Sequence, residues 1–203
     1  MRLSSSPMNA WEMRIPRVSG IENSNLLSPV TWEVFDVTRF GRSDDQLAIE
    51  LGTLGYPGFA YLAAGVPADP AEVLLDALDR DDLDARVTEG LPWIPLAFAN
   101  LDWDWLIPEA VRKKRQNRLG FIVALATNFE SAPTRRKLLV VLGQLEQVKR
   151  PEGDTLCRES MPSAERVHRH TRRSRLAADW NLDTGLTVED LQHLSTPFRH
   201  DDV

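Results

Sequence analysis

Two aspartates alternate with two tryptophans in the stretch NLDWDWLIPEAVRKKRQNRLGF, residues 100–121, where an Asp-x-Asp pair raises the question of a metal or catalytic site. On an α-helix of 3.6 residues per turn, Asp102 and Asp104 point about 200° apart, so they cannot hold one ion together. The flanking residues are typical of a helix. The pattern therefore favours a helix start, in which Asn100 or Asp102 caps the free N–H groups and a carboxylate in the first turn suits the helix dipole.

The rest of this stretch fits the same helix. Four consecutive basic residues, 112–115, lie at its far end, where the dipole favours cations. Trp103 and Leu106 are three residues apart, so we expect them to share a buried face. We expect Pro108 to break or restart the helix because proline removes a backbone donor.

Other residues that could carry chemistry do not form a recognisable set. His168 and His170 diverge on a helix, and with Cys157 they make no zinc-binding spacing. The glycines of GTLGYPG, residues 52–58, have neither a preceding strand nor a following Lys-Ser/Thr, and no G-x-S-x-G nucleophile motif is present. The sequence therefore predicts no catalytic residue, no metal ligand and no cofactor, with an enzyme built on Cys157 or a carboxylate pair left as an alternative.

The strongest basic patch is ERVHRHTRRSR, residues 165–175. If the stretch is one helix, Arg166, Arg169 and Arg173 share a face. Three interpretations stay open: binding to a phosphate backbone, docking on an acidic protein surface, or a solvated face that neutralises the acidic half of this chain. The predicted nucleic-acid-binding residues are Arg166, Arg169, Arg172, Arg173 and Arg175.

Residues 47–62, LAIELGTLGYPGFAYL, invite comparison with a helix-turn-helix, with Gly52 at the turn. The second half would be the recognition helix, yet it contains Gly55, Pro57 and Gly58, which disfavour a helix interior. It also has no Arg, Asn or Gln to read base edges. The sequence thus predicts no working DNA-reading helix here.

The composition is that of a globular protein. The chain has 203 residues, 42% apolar and 27% charged, which is enough for one medium domain without metal or disulfide support. The single Cys157 fits a reducing compartment, and neither a signal-peptide core nor a run of about 20 apolar residues is present. We therefore expect a cytoplasmic protein without a membrane segment.

Charge divides the chain into two halves. Residues 1–111 contain seven Arg and no Lys against 18 acidic residues, whereas residues 112–203 contain 17 basic against 12 acidic residues. Such a division predicts two surfaces of opposite sign that can steer different partners.

The hydrophobic pattern predicts a mainly α fold, a multi-helix globular domain with at most one or two short strands near 30–37. Residues 1–28 form an irregular N-terminal arm, 29–194 a single helical domain (acidic over 29–111, basic over 112–194), and 195–203 a frayed tail. The expected helices cover 43–51, with Gly52 as its stop, then 69–78, with Asp69 as its cap, 81–90 and the 102–115 region. They continue with a buried helix over 117–129, then 134–150, one basic helix over 160–180, and 187–194.

Two segments carry the distinctive strings LPW, LDWDWL, NRLGF and WNLDT. Residues 77–126 resemble the region after the helix-turn-helix in a group of bacterial regulators or antitoxins that accompany nucleotidyltransferase-like toxins. Residues 154–191 resemble the C-terminal segment of the same group. The resemblance implies a cognate protein toxin as partner, possible homodimers, and possible repression of the chain's own operon through operator DNA.

These observations together predict a non-enzymatic, antitoxin-like protein that binds and neutralises a toxin. Large aromatic side chains are frequent in protein interfaces. An acidic half could also imitate the phosphate-rich substrate of the toxin. The predicted partner-binding residues are Asp102, Trp103, Asp104, Trp105 and Trp180. A DNA-binding regulator without a toxin partner, which would use the basic stretch, is the alternative.

Overall fold

The computed structural model describes residues 42–129 and 132–195. Within these residues the fold is mainly helical, and its sheet consists of two short parallel strands, which confirms the predicted fold class. The expected arm over 1–28, the strand at 30–37 and the tail beyond residue 195 lie outside the described residues.

The first helix, α1 (Asp44–Leu54), begins at a capping box in which the Ser43 hydroxyl and the Gln46 side chain each bond the other's backbone N–H. It ends at Gly55, whose φ of 104° is available to glycine. The expectation that Gly52 stops the helix is wrong. Gly52 is buried inside α1, and a Cβ there would overlap the carbonyl of Phe59 in the 3-10 helix that follows.

After α1 comes a six-residue 3-10 helix, Pro57–Leu62, instead of a recognition helix, as its glycines and proline predicted. Phe59 of this helix and the preceding Tyr56 join an aromatic cluster with Trp93 of α4 (Trp93–Ala97). The ring centroid of Tyr56 lies 5.6 Å from that of Phe59 and 5.7 Å from that of Trp93. The LPW string thus places Trp93 in the core, where 6% of it is exposed.

Helix α2 (Pro70–Asp79) starts as predicted, with the Asp69 carboxylate accepting the N–H groups of Ala71 and Glu72. Helix α3 (Ala85–Gly90) starts four residues later than expected because Asp84 is its N-cap. Asp82, which precedes this helix, instead contacts the C-terminal segment, residues 150–195.

The middle of the chain supplies the centre of the core. All eleven residues of α6 (Gln116–Ala126) are buried, which confirms the predicted buried helix. Helix α5 (Trp103–Arg112) and helix α7 (Ala132–Gln147) pack against it. Pro108 lies inside α5, and the helix continues through it, contrary to the expected break.

The C-terminal segment wraps onto α6. Strand β1 (Asp154–Thr155) pairs in parallel with β2 (Leu182–Asp183), and α8 (Ser163–Arg172) and α9 (Arg175–Asp179) form the crossover between them. The single basic helix expected here is two helices, because the Ser174 hydroxyl caps α9. A 3-10 helix, Glu189–Ser195, ends the described chain.

No helix among the described residues is both long and apolar enough to cross a lipid bilayer.

Candidate functional site

The start of α5 confirms the helix-capping interpretation of the DWDW motif. Asp102 Oδ1 accepts the backbone N–H of Trp105 at 3.1 Å, and Asp104 is exposed in the first turn. Trp103 is half-buried against the core, and its Nε1 donates to the carbonyl of Ala99 at 3.3 Å. The two carboxylates therefore do not converge on one point, and the cap accounts for Asp102.

The outer face of α5 carries an apolar strip. Trp105 is 38% exposed and Val111 is 37% exposed, and the exposed Pro108 lies midway between them at a spacing of three residues. Beside the strip, Arg112 Nε donates to the carboxylate of Glu109 at 2.9 Å. That hydrogen bond is the main reason why the pKa of Glu109 lies below its usual value. The strip thus has an apolar centre and a charged rim, as protein interfaces do.

Trp180, predicted to bind a partner, is a core residue. Only 4% of it is exposed, and its ring covers Gly120 so closely that a Cβ at that glycine would overlap the indole. Lys149 Nζ lies over the indole ring, 5.7 Å from its centroid. The prediction for Trp180 is therefore corrected: the ring fixes the C-terminal segment to α6.

Arg118 is the centre of a polar network that sequence reasoning missed. Its side chain is fully buried, and it donates to both oxygens of Asp154 at 3.0 and 2.9 Å and to Glu159 at 2.9 Å. It also donates to the carbonyls of Leu78 and Arg80 at 3.0 and 2.7 Å. This one guanidinium therefore joins α2, α6 and β1. The available signal was a charged residue, Arg118, in the first turn of a helix that was expected to be buried.

The ionisation of Asp154 follows from this contact. Burial alone would raise the pKa of Asp154, but the hydrogen bonds and the charge of Arg118 outweigh it. The pKa of Asp154 therefore lies below its usual value, and the carboxylate stays charged as the partner of the buried guanidinium.

Two asparagines add hydrogen bonds to the contact between α6 and the C-terminal segment. Asn117 exchanges hydrogen bonds with the backbone of Arg150 at 2.9 and 2.8 Å, and Asn181 donates to the same carbonyl at 2.8 Å. Asn117 of NRLGF and Asn181 of WNLDT thus hold the C-terminal segment on α6. Their residue types follow from packing and hydrogen bonding.

Cys157 is unsuited to nucleophilic chemistry. The thiol is buried and donates to the carbonyl of Ala77 at 3.4 Å. Burial raises its pKa to about 11, so the reactive thiolate is scarce near neutral pH. In the described ranges, no group of three or more His, Cys, Asp or Glu side chains is arranged to hold a metal ion.

The five arginines of residues 165–175 do not form one free basic face. Arg166 donates to the Glu159 carbonyl at 3.1 Å. Arg169 lies 3.1 Å from a Glu165 oxygen, and Arg173 lies 3.3 Å from Asp183. These carboxylates belong to the C-terminal half, so the patch is not neutralised by the acidic half. The two arginines that remain exposed, without a described ion pair, are Arg172 and Arg175.

No protein-family model, curated protein or solved structure matches this chain.

Proposed function

We propose that this chain is a non-enzymatic, antitoxin-like protein that binds and neutralises a partner protein toxin. The observation that carries the proposal is the strip of Trp105, Pro108 and Val111 on α5. A Trp that exposes over a third of its surface beside other apolar side chains is the kind of residue that dominates binding energy at interfaces. A cavity of about 270 Å³ lies at the N-termini of α2 and α5, where Asp102 is part of its lining, and it could receive a partner side chain.

The charges at the N-terminal end of the strip, beside Trp105, support a cationic partner surface there. Asp104 is exposed beside Trp105, and Asp102, although it caps the helix, is exposed as well. A partner that normally binds phosphates would present basic side chains to these carboxylates. Such complementarity speeds association and fixes orientation more than it adds affinity.

Two side chains that could support an enzyme instead, Cys157 and Arg118, are engaged in the fold. Cys157 is buried with a raised pKa, and Arg118 is saturated by carbonyl and carboxylate oxygens. This favours a protein that works through its surface.

The alternative of a DNA-binding regulator has less support. Three of its five predicted arginines donate to oxygens of their own segment, which leaves Arg172 and Arg175 for phosphates. Two phosphate contacts would give a salt dependence of only about two counterions, well below that of specific DNA-binding proteins.

The proposal is tested by co-expressing the neighbouring open reading frame with and without this chain. We expect that frame to be toxic alone and harmless in the presence of the wild-type chain. Trp105→Ala should weaken the complex by about 30-fold or more, equivalent to ~2 kcal/mol, and restore toxicity. Leu139→Ala, which removes an apolar side chain of α7 that is 51% exposed, is the control and should leave binding unchanged.

Two outcomes would contradict the proposal. If the neighbouring frame is harmless by itself, it does not encode a toxin. If the Trp105→Ala variant binds as tightly as the wild type, the strip is not the binding surface.

A further inference from the structure

Helix α7 has an apolar outer face that the described part of the chain leaves largely open. Its inner face is buried against α6 through Leu138, Val141 and Leu145. On the outside, Leu139 is 51% exposed and Val140 is 66% exposed. The space above Gly143 is open as well, since a Cβ there would meet nothing within 4 Å. This face lies on a different helix from the strip of the proposed toxin interface.

One line of residues along this face, the α7 stripe, combines two leucines with a charge at each end. Its members, at intervals of four, three and four residues, are Arg135, Leu139, Leu142 and Glu146. With 3.6 residues per turn, these intervals place all four within about 60° of one another around the helix. Leu142 is half-buried, and the other three are exposed. The stripe therefore has an apolar centre, a positive N-terminal end and a negative C-terminal end.

The two end charges of the α7 stripe are not explained by α7 itself. Arg135 lies in the first turn of the helix and Glu146 in the last. The helix dipole favours the opposite order, with an acid in the first turn and a base in the last. Neither side chain has a hydrogen bond or an ion pair with a described residue. Each charge thus lies at the end of the helix where it is disfavoured, and the described chain does not compensate it.

A second copy of the chain compensates both charges if its α7 runs antiparallel. The stripe is symmetric about the midpoint between residues 140 and 141, because positions 135 and 146 are equally far from it, as are 139 and 142. A two-fold axis at this midpoint brings Arg135 opposite the partner's Glu146, and the reciprocal pair follows by symmetry. The same axis brings Leu139 opposite the partner's Leu142. A parallel pair would instead place like charges side by side.

We propose that the chain forms a homodimer through two antiparallel α7 helices, with the α7 stripe as the contact and Val140 at its edge. In coiled coils, charged residues beside the apolar seam set the choice and orientation of the partner helix in the same way. The seam spans about three helical turns, so the contact belongs to the small class of interfaces that form transient complexes. The dimer uses no residue of the α5 strip and does not depend on the proposed function.

Sedimentation velocity of the full chain over a range of concentrations tests the dimer. We expect a concentration-dependent shift from the mass of one chain to that of two. Leu139→Gln should weaken the dimer by about tenfold or more, because each dimer loses two leucine contacts. Val167→Gln is the matched control and should leave self-association unchanged, since it makes a comparable change at a residue of α8 that is 64% exposed.

Reversal of the end charges tests the antiparallel arrangement. At low ionic strength, where exposed charges are least screened, Arg135→Glu and Glu146→Arg should each weaken the homodimer by about tenfold. The reason is that both opposed pairs become pairs of like charge. An equimolar mixture of the two variants should recover the affinity of the wild type, because opposite charges face each other again in the mixed dimer. Arg172→Glu, an equal charge reversal on the exposed side of α8, is the control and should have no effect.

Three results would overturn the inference. The first is a wild-type chain that stays monomeric at every concentration, which would mean that something other than a second copy covers α7. The second is a Leu139→Gln variant that dimerises as tightly as the wild type, and the third is a mixture of the charge variants that associates no better than either alone. Trp105→Ala should leave the dimer intact and Leu139→Gln should leave toxin binding intact, so the two proposals fail separately.

Discussion

At the scale of single residues, Arg118 has the greatest structural consequence. A fully buried guanidinium is tolerable only when its donors are satisfied, and here two carboxylates and two carbonyls surround it. The partners lie 36 to 41 positions away in sequence, so the composition of α6 could not reveal them. The sequence could flag the arginine as unusual, but its partners follow from tertiary packing alone.

We predict that Arg118→Met destabilises the protein by about 3–5 kcal/mol, the usual cost of leaving one member of a buried ion pair alone. The substitution leaves the carboxylate of Asp154 without its partner. Urea unfolding followed by circular dichroism measures the change. Arg172→Met, on the exposed side of α8, is the control and should change stability by no more than about 0.5 kcal/mol. A loss below about 1 kcal/mol for the Arg118 variant would refute a central role for this residue.

At the scale of elements, two helical glycines offer a matched comparison. Gly120 in α6 lies under the ring of Trp180, where a Cβ would overlap the indole, whereas a Cβ at Gly143 in α7 would meet nothing within 4 Å. The same substitution therefore meets opposite environments in two neighbouring helices.

We predict that Gly120→Ala lowers the free energy of unfolding by about 1–3 kcal/mol because it overpacks the core. Gly143→Ala should raise it by up to about 1 kcal/mol, since alanine favours a helix interior more than glycine does. Thermal melts of the two variants beside the wild type provide the measurement. An increase in stability for both variants would show that helix propensity, and not the Trp180 contact, decides the effect at residue 120.

The elements that local signals determine were predictable. Asp69 was identified as a helix cap and Asp102 as one of two candidate caps, and the apolar run after Asn117 was identified as a buried helix. The errors arose where tertiary packing determines which residue is present. Gly52 lies inside a helix and does not end it; it is a glycine because a Cβ at this position would overlap the backbone of Phe59. The two-residue strands β1 and β2 are too short to show a hydrophobic alternation.

The candidate site was predicted only in part for the same reason. The exposed Trp105 lies at the start of a helix that sequence pattern could place. In contrast, the burial of Trp180 depends on Gly120, 60 residues earlier, and this contact has no local signature.

At the scale of the whole molecule, the two charged halves neutralise each other where they meet. Lys113 and Arg115, from the basic half, both pair with Asp79 at 2.5 and 3.2 Å, and Arg115 also lies 3.3 Å from Asp81. The bases after α5 thus fasten it to the end of α2. The division of charge predicted two binding surfaces, but these four charged side chains pair with one another within the fold.

The pH dependence of stability tests whether the network of Arg118 governs the whole fold. The pKa of Asp154 is depressed in the folded state, so its contribution is present above the unfolded pKa of about 3.9 and is lost as the pH falls through the lower folded value. We therefore predict a decline in the urea midpoint from about pH 5 downward. Asp154→Asn should lower stability near neutral pH and flatten this decline.

Glu109→Gln is the matched control for this experiment. The pKa of Glu109 is also lowered, by Arg112, but the pair lies on the surface, where water screens it. It should leave the pH profile almost unchanged, whereas an unaltered slope in the Asp154 variant would mean that other carboxylates control acid unfolding.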